Sequence, residues 1–327
     1  MKGEGVPRRL YKYRNFSNRT LSMLIDDTVY FADPTTFNDP LDTKPALAAD
    51  IDNAALETIL ARLIEDRTVA EMSAAAKTLR YRGPKTLDHI ARHGRKAAQR
   101  GLADLRYNAT DPEYEIEDPE RFLLGYYVQE ELLRRYDKGV FSLVARATCP
   151  LMWSHYGDQH RGLCIGYSVP PAATSNVRKM RYGGSRLVQA SAVAAMLGGD
   201  DAARRRVDDD VLLRKAKPWI YEREWRLIGS RGEQNSPLEL EEIVFGMRCA
   251  TAVKYSVVQA LAQRSRAVGF FEIREQRDSF ALARHRIDIS ELASSRPRRC
   301  RDMDGVFDAF AAEIDPVKSS GGETGEG

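Results

Sequence analysis

Two hydrophobic periods divide this chain, and their order restricts its fold more than any other feature. Short runs that alternate with period two, or are apolar throughout, occupy both ends, while Leu56, Ile59, Leu60, Leu63 and Ile64 in between recur at helical spacing. Period two demands strand partners and period 3.6 demands one buried helix face. The expected fold class is therefore α+β, with a helical insertion at about 50–137 inside one domain spanning 1–315.

At the N-terminus, Leu10-Tyr11-Lys12-Tyr13-Arg14 alternates aromatic and basic residues as a half-buried strand does. Asn18 or Ser17 can cap a short helix with Leu21, Leu24 and Ile25 on one face, and Val29-Tyr30-Phe31 reads as the second strand of a strand–helix–strand unit. Phe37-Asn38-Asp39-Pro40 is a strong turn signal. Within the insertion, Gly83-Pro84 separates one helix from a second over Lys85 to Arg100, and Pro119 opens a third. Beyond it, Val140–Val144, Gly162–Tyr167, Val177–Tyr182, Glu224–Ile228, Leu240–Phe245, Phe270–Arg274 and Ala283–Ile287 read as strands. Pro150 through Tyr156, Asp201 to Lys215 and Thr251 to Ala262 read as helices. The tail from Pro316 is linker-like and is expected to be disordered over 316–327.

Several function classes receive no support. Lys and Arg number 50 against 47 Asp and Glu among 327 residues, a balance that does not demand a polyanionic partner. No apolar run approaches the roughly 20 residues of a membrane helix, and the N-terminus lacks an apolar signal core. Four scattered cysteines without a Cys-x-x-Cys pair suit a reducing, cytoplasmic compartment and no structural zinc. Walker-type loops and Gly-x-Ser-x-Gly elbows are absent. His89 and His93 stand at i and i+4 but lack the Glu of a zinc peptidase motif, which favours a solvated face and no metal. The run Arg204–Arg206 faces Asp208–Asp210 within one helix and is expected to neutralise it, and Cys164 in an apolar strand is expected to be inert.

Three polar segments carry the candidate chemistry. Lys12 and Arg14 share one strand face and Tyr11 and Tyr13 the other; the cations can hold a phosphate or simply be solvated edge charges. In Trp153-Ser154-His155-Tyr156-Gly157, the aromatic residues can sandwich a base or nicotinamide ring, or pack in the core. In Trp219 to Arg226, Glu222 and Glu224 at i and i+2 of a strand point the same way, with Arg226 continuing that face. Such carboxylates can form salt bridges, or hydrogen-bond a ribose and stabilise a cationic transition state.

Leu10–Arg14, Phe37–Pro40, Leu151–Gly157 with Gly162–Gly166, and Tyr221–Arg226 together resemble a bacterial family known as domain of unknown function 2971. That resemblance implies a role in phage defence or as a toxin. More loosely, the order of segments is similar to that of ADP-ribosyltransferases. This second resemblance implies a mixed, mainly antiparallel central sheet and NAD as substrate, without metal. Lys12 or Arg14 would grip the pyrophosphate, Tyr13 would support the pocket, and Ser154, His155 or Tyr156 would fill the middle role. Tyr156 would stack on nicotinamide, Glu224 would act on the ribose, Glu222 would orient an acceptor (protein or nucleic acid), and Arg226 would fix the Glu pair. The expected activity is NAD-dependent ADP-ribosyl transfer or NAD hydrolysis. One alternative is a metal-independent RNA nuclease using His155, Lys12, Arg14 and Glu224; another is a non-catalytic sensor of a small-molecule nucleotide or a phage component.

Overall fold

The structure, a computed structural model, describes residues 5–81, 83–113, 115–134 and 138–294. The expected tail at 316–327 lies outside the described residues, as does the end of the expected domain.

An eight-stranded sheet organises the chain. Its strands are β1 (Leu10–Arg14), β2 (Lys138–Val144), β3 (Leu163–Ser168), β4 (Val177–Lys179), β5 (Glu224–Ser230), β6 (Glu239–Phe245), β7 (Gly269–Glu275) and β8 (Leu282–Arg286). Their spatial order is β8-β7-β6-β3-β1-β2-β5-β4. Every neighbouring pair is antiparallel except β6 and β7, so the sheet is mixed and mainly antiparallel. The helices are α1 (Asn18–Ile25), α2 (Asn53–Thr78), α3 (Thr86–Asn108), α4 (Pro119–Arg134), α5 (Pro150–His155), α6 (Ala190–Leu197), α7 (Asp201–Leu212), α8 (Thr251–Leu261) and α9 (Ile289–Ser294). Among the described residues no helix is long and apolar enough to cross a membrane.

Strand alternation sorts the core. Leu10, Phe141, Leu143, Ile165, Tyr167, Trp225, Leu227, Ile243 and Phe245 pack on one sheet face with Val257, Val258 and Leu261 of α8. The intervening residues Tyr13, Val144, Cys164 and Val244 pack on the other, where α5 contributes Met152 and Trp153. Burial pushes the Cys164 thiol well up, which removes its thiolate character.

Helices α2, α3 and α4 occupy the span between the early turn and β2, but they do not close a core of their own. Ala192, Val193 and Met196 of α6 and Ala203, Val207 and Val211 of α7 join Leu56, Leu60, Leu63, Leu124, Val128 and Leu132 in one cluster. Three helices of this length leave an apolar side uncovered, and the later helix pair covers it. The N-terminal strand, helix and strand are present in the expected order, and their pairing is set by distant segments. Ser17 caps α1, accepting from the Thr20 amide at 3.2 Å, but the following strand Thr28–Phe31 pairs with Gly232–Asn235 and not with β1.

Near the middle of the sheet the ladder opens. β1 pairs with β3 at five successive positions but with β2 only at Tyr11 and Val144. Val144 in turn faces Glu224 of β5, so Tyr11, Val144 and Glu224 form a row across three strands. At strand spacings of about 4.8 Å this row is roughly 10 Å wide, and the gap beside it is the mouth of a cleft.

Candidate functional site

The cleft is lined by Tyr11, Lys12 and Tyr13 of β1, Ser142 and Val144 of β2, Met152 and Tyr156 at α5, Phe37, Asn38 and Asp42 of the early turn, and Lys215, Glu222, Glu224 and Arg226. It encloses about 140 Å³, room for one aromatic ring or one sugar.

Its floor is a buried ionic cluster. Arg226 is fully buried; its Nε donates to Glu224 Oε1 at 2.8 Å, its Nη1 to the Leu212 carbonyl at 2.7 Å, and its Nη2 to both Asp42 oxygens at 2.9 and 2.7 Å. The guanidinium lies 5.0 Å from the Phe37 ring centroid. Lys215 Nζ donates to Glu222 Oε2 at 2.6 Å and to Glu224 Oε2 at 3.1 Å, and lies 3.5 Å from Asp42. Tyr156 donates its hydroxyl to the other Glu222 oxygen at 3.0 Å.

The local backbone explains why two neighbouring glutamates meet one lysine, and it corrects the expectation that both lie in a strand. Residues Lys217–Glu222 form a 3₁₀ turn, and Arg223 takes a left-handed conformation at φ 46°. Only Glu224 belongs to β5, and its amide donates to the Tyr182 hydroxyl at 2.7 Å. The left-handed turn reverses the usual alternation, so the carboxylates reach Lys215 from two directions. Lys215 itself is not helical as expected. α7 stops at Leu212, and Arg214–Lys215 pairs with Arg181–Tyr182 as a short parallel strand.

Electrostatics separate the two glutamates. Burial pushes Glu224 up, but Arg226 and Lys215 together pull it down to about 2, so it is a fixed anion. At Glu222 burial wins over the single lysine and the group is held above the usual carboxylate range. Asp42 is likewise raised, by burial first and by the Glu224 charge, against the pull of Arg226. Lys12 is pushed down to about 7, by burial and then by Arg14. Its Nζ donates to the Ser142 carbonyl at 2.9 Å in the gap between β1 and β2.

The other expected site residues divide clearly. Tyr13 lines the cleft, edge-on to Trp153 with centroids 5.0 Å apart, and donates its hydroxyl to the Arg146 carbonyl at 3.0 Å. Trp153 takes the packing role, fully buried and donating from Nε1 to the Ala147 carbonyl at 2.8 Å. Ser154 and His155 are exposed on α5 and do not line the cleft; Ser154 donates to the Pro150 carbonyl. Arg14 does not line it either. Its charge is disfavoured by burial, and Tyr167 and Arg19 are the groups that act on it. Arg226 fixes Glu224 and Asp42, and it is Lys215 that joins Glu224 to Glu222.

Lys215 and Asp42 escaped sequence reasoning. Asp42 lies two residues past the Phe37–Pro40 turn and 184 residues before Arg226, so no spacing rule could join them. One lesser reading also changes. Asp208, Asp209 and Asp210 pair with Lys138, Arg178 and Arg214 rather than with Arg204–Arg206. His89 and His93 are exposed with ring centroids 4.4 Å apart, and among the described residues no group of three His, Cys, Asp or Glu could hold a metal ion.

Residues 152–227 match the model of a family described as protein of unknown function (DUF2971). The match takes in the α5 aromatic motif and the Glu222–Arg226 segment and stops short of β1 and the Phe37–Pro40 turn. No curated protein and no solved structure matches the chain.

Proposed function

We propose that the cleft binds NAD and breaks its nicotinamide–ribose bond, passing the ADP-ribosyl group to an acceptor or to water, in a defence or toxin setting. The observation that carries this reading is the charge of the floor set inside aromatic walls. Three carboxylates (Asp42, Glu222, Glu224) face two strong cations (Lys215, Arg226), under the rings of Tyr11, Tyr13, Phe37 and Tyr156. With these five groups ionised and Lys12 neutral, one negative charge is left unmatched where a cationic ring or an oxocarbenium centre would lie.

Buried ion clusters are seldom the cheapest way to stabilise a fold, because desolvation offsets most of their attraction. A binding task accounts better for five ionised groups around a small cleft. The volume suits the nicotinamide or its ribose, with the remainder of the dinucleotide along the mouth near Asn38 and Lys12. Lys12 would meet a phosphate there, and an incoming anion would restore its charge.

In the proposed step the ribose C1′–N1 bond breaks and both electrons leave with nicotinamide, whose ring loses its positive charge. The sugar becomes oxocarbenium-like, and Glu224, held ionised by Arg226 and Lys215, stabilises it. An acceptor hydroxyl or water then bonds to C1′ and gives its proton to Glu222, whose raised affinity suits a proton acceptor. The nuclease alternative keeps Lys12 and Glu224 in the cleft but finds His155 outside it.

Nicotinamide release by the full chain, with and without cell lysate, tests the reading. Wild type should release it, Glu224→Gln and Glu222→Gln should each slow release by at least about tenfold to a hundredfold, and labelled ADP-ribose should appear on an acceptor or free in solution. A folded wild type that neither binds NAD nor releases nicotinamide under either condition rejects the proposal.

A further inference from the structure

We propose that the outer face of α3 is a docking surface for single-stranded nucleic acid, held through its phosphates and stacked on exposed rings. This inference is independent of the cleft and its chemistry.

Lys85, Arg92, Arg95, Lys96 and Arg100 are all exposed. At 100° per residue they fall within an arc of about 140°, together with His89 and Tyr107, along roughly 22 Å of helix from Lys85 to Arg100. None of the five cations has an ion-pair partner among the described residues; of the two acids of α3, Asp88 stands on the arc in the first turn without an ion pair to Arg92, and Asp104 lies outside the arc near the far end. Several other arginines of the helical lobe are paired: Arg62 with Asp66, Arg67 with Glu71 and Glu131, and Arg106 with Glu57.

The stripe works against the helix that carries it. Arg92 stands i+3 and i+4 from Arg95 and Lys96, and Lys96 stands i+4 from Arg100, which are repulsive spacings. Lys85 occupies the N-cap, where the helix dipole disfavours a cation, and it makes no side-chain cap. An extended polyanion relieves every one of these repulsions at once.

Charge complementarity selects a nucleic acid over the other anionic partners. Three of the five cations are arginines, whose planar fork suits phosphate oxygens. Tyr107, 79 % exposed, lies on the same arc and offers a ring for base stacking. A bilayer-seeking helix would carry large apolar residues beside its basic arc. Here α3 turns its apolar side, Ile90, Ala98 and Leu105, into the lobe.

The experiment is fluorescence anisotropy of the full chain with labelled single-stranded RNA and DNA of about 12 nucleotides, long enough to exceed the stripe at 3.4 Å per phosphate. Four neutralised phosphate contacts would make the affinity fall about 50-fold between 50 and 200 mM salt. The variant Arg92→Gln/Arg95→Gln/Lys96→Gln/Arg100→Gln should lose at least about tenfold in affinity at 50 mM salt and flatten the log–log salt slope by about 3. Arg204→Gln/Arg205→Gln/Arg206→Gln, which removes an exposed basic run on α7, should bind as wild type. A preference between the RNA and DNA probes would identify which strand docks. The proposal is overturned by no binding of either probe at 50 mM salt, by equal losses in the two variants, or by phosphatidylserine vesicles binding through the stripe while both probes fail. Circular dichroism of each variant separates lost binding from lost folding.

Discussion

Replacing Arg226 by Met should convert the floor of the cleft from a compensated cluster into an acidic one. The guanidinium donates five hydrogen bonds to Glu224, Asp42 and the Leu212 carbonyl, and it is fully buried. Met retains most of the volume, so lost packing is a small part of the effect. What remains is Asp42, Glu222 and Glu224 around Lys215 alone. Removing one partner of a buried ion pair costs about 3–5 kcal/mol, because the stranded charge has no solvent to turn to.

The sign of the pH dependence gives the sharper test of Arg226→Met. In wild type Glu224 sits below its ordinary value, so its contribution is complete above about 4.5 and is lost as pH falls towards about 2. Without Arg226, burial and the two neighbouring carboxylates push Glu224 and Asp42 above their unfolded values. The folded variant then takes up protons as pH falls, and its deficit shrinks. Urea unfolding by circular dichroism should show a loss of about 3–5 kcal/mol at pH 7.5 that narrows by at least about 1 kcal/mol at pH 5. A loss below about 1 kcal/mol, or one that is the same at both pH values, would refute the reasoning.

Lys12→Met should stabilise the protein at pH 6.5 and lose that advantage by pH 10. With a folded value of about 7, the unfolded chain binds more protons from there to the ordinary lysine range, so wild-type stability rises with pH across that window; a pH-independent difference in urea midpoint would count against this. Tyr156→Phe removes the hydroxyl bond to Glu222, should cost about 1 kcal/mol, and should slow nicotinamide release; unchanged release in a folded variant would remove Tyr156 from the site. Gly162→Ala should cost about 2–3 kcal/mol, since a Cβ there collides with the Arg14 carbonyl oxygen, backbone against backbone; thermal unfolding at wild-type temperature would show that the turn can give way.

The opposite shifts of Glu224, held below the usual carboxylate range, and Glu222, held above it, illustrate how one cluster can prepare two roles. Both carboxylates are buried, and their difference arises from neighbours: two cations within 3.1 Å of Glu224 oxygens against one at Glu222. The arrangement depends on the left-handed Arg223, which lets the chain leave a 3₁₀ turn and begin a strand within two residues. Substituting a β-branched residue at this position would disturb the site without touching any polar atom.

The periods of the sequence by themselves determined that β1, β2, β3, β5, β6, β7 and β8 are strands and that α2, α3 and α4 are helices. Alternation and helical spacing report which side of an element is buried, and burial is what makes an element stable. The aromatic and acidic richness of Tyr156, Glu222 and Glu224 was also legible, because residue type alone shows what chemistry a segment can do. Only the tertiary structure decided which of these residues meet. Lys12 and Arg14 look equivalent by alternation, yet the strands part beside Lys12 and admit it alone to the cleft. His155 and Tyr156 are neighbours, yet a helix turns one to solvent and the other to Glu222. Asp42 and Lys215 join the cluster from an early turn and a short strand, because buried charges select partners by distance in space, and distance in space is set by packing and not by spacing in the chain.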